Sequence, residues 1–146
     1  MEDIEKDEER SSPIGGKISV PKVLIVEDSL FYRQLLKEAL QARFPSMEVL
    51  ESTDGEEALR KIEVYLPDLA FIDIKLPGES GLEVTKRIKA KYPDIIIIIL
   101  TAYDIPEYRE AAFKYKANYF LSKGSTSKED ILKLVDSILM KDLRRC

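Results

Sequence analysis

Residues 95–102 read Ile-Ile-Ile-Ile-Ile-Leu-Thr-Ala. An unbroken run of this kind, rich in β-branched side chains, is what a strand buried on both faces requires, and such strands belong to parallel sheets covered by helices on either side. Working outward, shorter apolar runs stand at Val23–Val26, Met47–Leu50, Leu69–Ile72 and Asn118–Leu121, so the runs begin about every 22 to 26 residues. Between them the apolar spacing becomes helical. Leu35, Leu36, Ala39 and Leu40 form one stripe, and Ile131, Leu134, Val135 and Ile138 form another. Capping-box spacing at Asp54/Glu57, Ser80/Glu83, Asp104/Glu107 and Ser127/Asp130 marks helix starts, and Pro45, Pro67 and Pro93 stand where a helix should stop before the next strand. Five strands alternating with five helices predict an α/β fold, a parallel sheet with helices on both faces. Ligands bind such sheets beyond the carboxyl ends of the strands.

Composition sets limits on the chemistry. The chain has 146 residues, 45% hydrophobic and 34% charged, which is material for one domain with a sizeable core. Residues 1–10 carry six acids and two bases, and so the whole net charge of −4. The balanced remainder has no electrostatic drive toward nucleic acid or an anionic membrane. We expect residues 1–21, punctuated by Ser-Ser-Pro and Gly-Gly, to be a flexible acidic tail or linker, and residues 22–146 to form the domain. The chain contains no His, which excludes a histidine triad, an imidazole metal site and a phosphohistidine donor. Its single Cys, Cys146, excludes an internal disulfide and a Cys-rich zinc site. The longest apolar run is Ile95–Leu100, against the roughly 20 residues of a membrane helix. No signal-peptide pattern opens the chain, so the expected location is the cytoplasm.

The chemistry is concentrated where the strands end. The first strand runs into Glu27-Asp28, the third into Asp73, the fourth into Thr101-Ala102 and the fifth into Ser122-Lys123. Each group alone has an ordinary explanation: Asp28 or Ser29 as a helix cap, Asp73 as a turn residue, Thr101 and Lys123 as solvated edges. Their joint delivery to one sheet edge carries the case. Three carboxylates held together repel unless a cation intervenes. Oxygen donors without His or Cys favour a hard cation, and an incomplete cage favours Mg²⁺. Lys123 and Thr101 suit an incoming phosphoryl group, and a carboxylate is left as the nucleophile.

VLIVED (23–28), FIDIKLPGESG (71–81), IIILTA (97–102) and FLSKG (120–124) together resemble the receiver domain of two-component response regulators, of the chemotaxis-regulator type. The likeness extends over about residues 22–140. It implies a doubly wound, flavodoxin-like sheet in the order 2-1-3-4-5. It also implies that Asp73 is the phosphoacceptor, taking a phosphoryl group from a sensor histidine kinase or phosphotransfer protein. Asp28, Asp73 and the backbone carbonyl of Lys75 would ligate Mg²⁺, or Mn²⁺ in its place, with Glu27 reaching the ion through water. Lys123, Thr101 and the adjoining Ala102 would meet the phosphoryl group, and Phe120 would be the aromatic that changes burial with Thr101. The expected result is a changed surface over the fourth helix, fifth strand and fifth helix, read by a downstream protein or output domain. Dimerisation through that face is a further expectation. Such a chain is a switch rather than an enzyme with a diffusible substrate, assisting only its own phosphorylation and hydrolysis.

The chain departs from the pattern at three places. Gly124 follows Lys123 where many receivers have Pro, a variant resembling receivers joined to helix-turn-helix outputs. Ser80 precedes Gly81 where Asp or Asn is common, and Phe120 replaces the commoner Tyr, with Tyr119 beside it as a packing residue. Tyr103, two residues after Thr101, is expected to shield an acyl phosphate from water and prolong its life. A phosphatase of the aspartyl-nucleophile type would need a second Asp where Lys75 stands, and Glu27-Asp28 would repel the phosphate of a flavin. The runner-up is a receiver that docks or dimerises without phosphorylation.

Overall fold

The computed structural model describes residues 20–141; most of the expected N-terminal tail, and Cys146, lie outside the described residues. The elements follow in strict alternation: β1 (Lys22–Val26), α1 (Leu30–Arg43), β2 (Glu48–Ser52), α2 (Gly55–Tyr65), β3 (Leu69–Ile72), α3 (Gly81–Lys91), β4 (Ile96–Thr101), α4 (Pro106–Lys114), β5 (Tyr119–Ser122) and α5 (Lys128–Lys141). All strands pair in parallel, in the order β2-β1-β3-β4-β5.

The alternation of side chains along each strand divides the core in two. Leu24, Val26, Ala70, Ile72, Ile97 and Ile99 face α2, α3 and α4, where they meet Ala58, Ile62, Val84, Ile88 and Ala112. Their neighbours Val23, Ile25, Leu69, Phe71, Ile98 and Leu100 pack with α1 and α5, against Leu36, Leu40, Ile131, Val135 and Ile138. This two-sided burial is why β3 and β4 carry continuous apolar runs. Tyr119 packs against the second face, as a packing residue should. In α1 the stripe is narrower than expected: Leu36, Ala39 and Leu40 are buried, whereas Leu35 is 42% exposed.

Helix starts follow local polar chemistry. Ser29, rather than Asp28, caps α1, accepting from the Tyr32 N–H. Asp54 accepts from Glu57 N in α2, and Ser80 from Leu82 N in α3. Ser127 and Asp130 bond reciprocally at α5. The Asp104/Glu107 cap is corrected. Ile105 is the N-cap residue of α4 and has no side-chain bond, while Pro106 fills the first turn. A proline there is preset in φ and has no N–H to satisfy, which leaves Asp104 to pair with Arg109.

One close approach ties α3 to the sheet edge. A Cβ on Gly81 would overlap the carbonyl oxygen of Asp73, and Gly81 N donates to Ile74 O at 2.9 Å. Gly81→Ala should therefore lower stability by about 1–3 kcal/mol, as overpacking does. A urea midpoint equal to that of the unaltered protein would show instead that the contact relaxes freely.

Candidate functional site

The sheet ladder continues one residue past several strand ends, and those residues are the ones the chemistry needs. Glu27 N donates to Ser52 O at 3.0 Å, Asp73 N to Val26 O at 3.0 Å, and Lys123 N to Thr101 O at 2.8 Å. The backbones of Glu27, Asp73 and Lys123 are thus held by the rigid sheet at its carboxyl edge, Glu27 level with Asp73 and Lys123 two residues further out.

Their side chains converge. Lys123 Nζ donates to Glu27 Oε1 at 2.6 Å and to Asp73 Oδ2 at 3.1 Å. The second Asp73 oxygen, Oδ1, accepts from Ile74 N at 2.7 Å, and Glu27 Oε2 accepts from Ser29 N at 3.0 Å. Both carboxylates are buried. Burial raises the Glu27 carboxyl above its ordinary pKa, and the Asp73 charge adds to the rise against the opposing pull of Lys123. For Lys123, burial alone would favour the neutral amine; the bond to Glu27 and the charge of Asp73 outweigh it, so its pKa lies above the ordinary lysine value. One ammonium serves two buried carboxylates, and the site retains a demand for positive charge.

The remaining expected residues border this cluster without joining its hydrogen bonds. Asp28 is exposed beside Glu27. Thr101 is fully buried, and its Oγ1 accepts from Tyr103 N at 3.2 Å. Ala102 is exposed. Phe120 is buried, with the Arg109 guanidinium 4.6 Å from its ring centre. Gly124 N donates to Ser122 Oγ at 3.2 Å, a bond a proline could not make.

Among the described residues, no three acidic side chains converge as a metal cage. The donor set nonetheless suits Mg²⁺, which commonly takes one or two carboxylates and keeps several waters. Every candidate ligand is oxygen, and the ammonium between Glu27 and Asp73 stands where positive charge is needed.

Sequence reasoning missed several neighbours. The Tyr32 ring centre lies 4.2 Å from Lys123 Nζ, and Arg33 Nη1 donates to Glu27 O at 2.7 Å. Lys75 Nζ lies 5.1 Å from the ring centre of Tyr103 and 5.6 Å from that of Tyr108. Helical position offered one signal: residues 30–33 form the first turn after Ser29 and so must border the Glu27-Asp28 edge. An apolar strip of Leu30, Phe31 and Leu35 lies exposed along the same helix.

Lys123→Met would leave two buried acceptors without their shared donor, at a cost of about 1–3 kcal/mol in metal-free buffer. Added Mg²⁺ should recover part of that loss and raise the melting temperature more than it does for the unaltered protein. An equal Mg²⁺ response in both proteins would count against the shared-cation account.

The family model for the response regulator receiver domain matches residues 23–136. The transcriptional regulatory protein DegU of Brevibacillus brevis is 32% identical over 103 residues, 70% of this chain and 43% of that protein. A receiver domain protein of Methanospirillum hungatei, described as CheY-like, superposes with a TM-score of 0.79 at 27% identity, covering 85% of this chain and 97% of that one. The Mn²⁺-bound form of response regulator Rcp1 gives a TM-score of 0.69 at 27% identity, covering 86% of this chain and 96% of that one. The chain spans about a quarter to a half of the length of the curated relatives it matches. With its acid pair, hydroxyl and lysine set at successive ends of a 2-1-3-4-5 sheet, and the family model covering most of its length, the chain belongs to the response regulator receiver domain family.

Proposed function

We propose that the chain is a phosphorylatable switch of a two-component system, with Asp73 as the phosphoacceptor. The observation that carries this reading is Lys123 Nζ bridging Glu27 Oε1 at 2.6 Å and Asp73 Oδ2 at 3.1 Å. A carboxylate held at a rigid strand end beside a buried ammonium is placed to attack phosphorus. The incoming group would be a phosphohistidine of a sensor kinase or phosphotransfer protein. The P–O bond to Asp73 forms as the P–N bond breaks, and the donor imidazole leaves with the electron pair. Lys123 follows the negative charge from the carboxylate to the phosphoryl oxygens. Mg²⁺, or Mn²⁺ in its place, supplies further charge neutralisation when bound, with Asp28, Asp73 and the Lys75 carbonyl as direct ligands and Glu27 reaching it through water.

Output follows from Thr101. Its hydroxyl now satisfies the Tyr103 amide; a phosphoryl group on Asp73 offers it a stronger, charged acceptor. Drawing Thr101 and Ala102 inward would change the packing around Phe120, now buried under Arg109, and with it the α4–β5–α5 face. A downstream protein, an output domain or a second copy of the chain would read that face. Under this reading the chain works in the cytoplasm, residues 1–21 are a tail or linker to the domain, and the chemistry is self-modification.

The decisive test is intact-mass spectrometry after incubation with acetyl phosphate, with and without Mg²⁺. One Mg²⁺-dependent phosphoryl adduct is expected, absent in Asp73→Asn. No adduct under any condition would replace the switch with a docking module that works unphosphorylated. Tyr103, half-exposed and cradling Lys75, bears on the lifetime of the adduct. Tyr103→Ala should speed its hydrolysis several-fold, followed as the decay of the phosphorylated mass; an unchanged decay would remove Tyr103 from that role.

A further inference from the structure

Lys123 has three partners, and the proposed switch draws two of them away. Its Nζ donates to Glu27 and Asp73 and lies 4.2 Å from the centre of the Tyr32 ring. Once Asp73 carries a phosphoryl group and Glu27 turns to a bound cation, both carboxylates release the ammonium. An aromatic face ligates no divalent cation of this hard type and accepts no phosphoryl group, so its attraction for the ammonium survives both events.

We infer that Tyr32 is a positioning residue for Lys123, its ring holding the ammonium at the phosphorylation site through the change of partners. The inference rests on the receiver reading above. Several features place the ring. Tyr32 sits in the first turn of α1, where its own N–H donates to the capping Ser29 Oγ at 3.3 Å. The next residue, Arg33, fastens that turn by donating to Glu27 O at 2.7 Å and to Glu51 Oε1 at 2.9 Å. The ring therefore cannot drift from the strand end that carries Glu27. It also lines one small cavity with Glu27 and Asp73, between Ile25, Leu36 and Leu100. The Lys123 side chain is only 16% exposed, and a cation–π contact strengthens as water is excluded. A bare lysine beyond β5, once released by the carboxylates, would have many rotamers open to it; the ring keeps it in one region and reduces the entropy lost when it meets the phosphoryl oxygens.

The test uses acetyl phosphate as donor, so that no partner protein touches α1, and follows the rate of adduct formation by intact mass. Tyr32→Leu should slow phosphorylation by about three- to tenfold, the range a partly desolvated cation–π contact supports. Tyr32→Phe, which keeps the ring, should stay near the rate of the unaltered protein. In a Lys123→Ala background, Tyr32→Leu should cause no further slowing, because the ring acts through the ammonium. Should Tyr32→Leu fold poorly, the Lys123 side-chain methylene protons report directly in the unaltered protein: ring current should keep them shifted upfield both without and with Mg²⁺ and acetyl phosphate. Unshifted methylenes, a Tyr32→Leu rate within twofold of the unaltered protein, or an equal slowing without Lys123 would each overturn the inference while leaving the switch intact. An unaltered protein that gains no phosphoryl group fails earlier, at the receiver reading, and takes this inference with it.

Discussion

Glu27 and Asp73 are both buried at one sheet edge, and like charges in a poorly solvated corner stay together only when a cation is shared between them. Lys123 supplies that cation from beyond β5, two strands from β3 and three from β1 in the sheet order. Only a long, flexible side chain carrying a terminal charge can reach so far. A guanidinium would bring a planar fork in place of a point charge and could not turn among changing oxygen partners as freely. The arrangement leaves two buried carboxylates sharing one ammonium, and under the proposed function that incomplete neutralisation would suit an exchange of negative oxygens.

The rest of the molecule keeps that corner still. Alternate residues of the strands enter two separate apolar cores, and the ladder bonds run one residue beyond the strands to Glu27, Asp73 and Lys123. Gly81 lets α3 start directly against the Asp73 carbonyl. Dense packing on both faces resists small shifts of the sheet, so movement is left to the loops that follow it.

Those loops also connect the site to the surface. Thr101 bonds the Tyr103 amide, and the same loop continues through Asp104, which holds Arg109 at 3.1 Å. Arg109 in turn covers Phe120. Under the proposed switch, a change in the partner of Thr101 would act on this loop and, through the Asp104–Arg109 ion pair, on the cover of the aromatic. Lys75, set against Tyr103 and Tyr108, links the loop after β3 to the same segment. Under the proposed switch, these contacts are the ones through which charge at Asp73 would bear on the start of α4.

Much of this was legible in the order of residues. Short continuous apolar runs and helical spacing between them, together with Asp54, Ser80 and Ser127 at helix starts, sufficed for five strands alternating with five helices, because those signals act within a few residues of one another. The placing of Glu27, Asp73, Thr101 and Lys123 at strand ends followed from the same local rhythm. Asp104 looked like another cap, and only the competing claim of Arg109, with Pro106 in the first turn, shows why it is not. The strand order was legible only through resemblance, since an apolar run does not say which other run it will pair with. The partnerships at the site were beyond local reading altogether: Lys123 meets Glu27 across 96 positions and Asp73 across 50, and the Tyr32 and Arg109 contacts are likewise made between separate elements. Residue types and spacing determine which groups arrive at the sheet edge; which of them touch is decided when the packed sheet sets their distances and excludes water from between them.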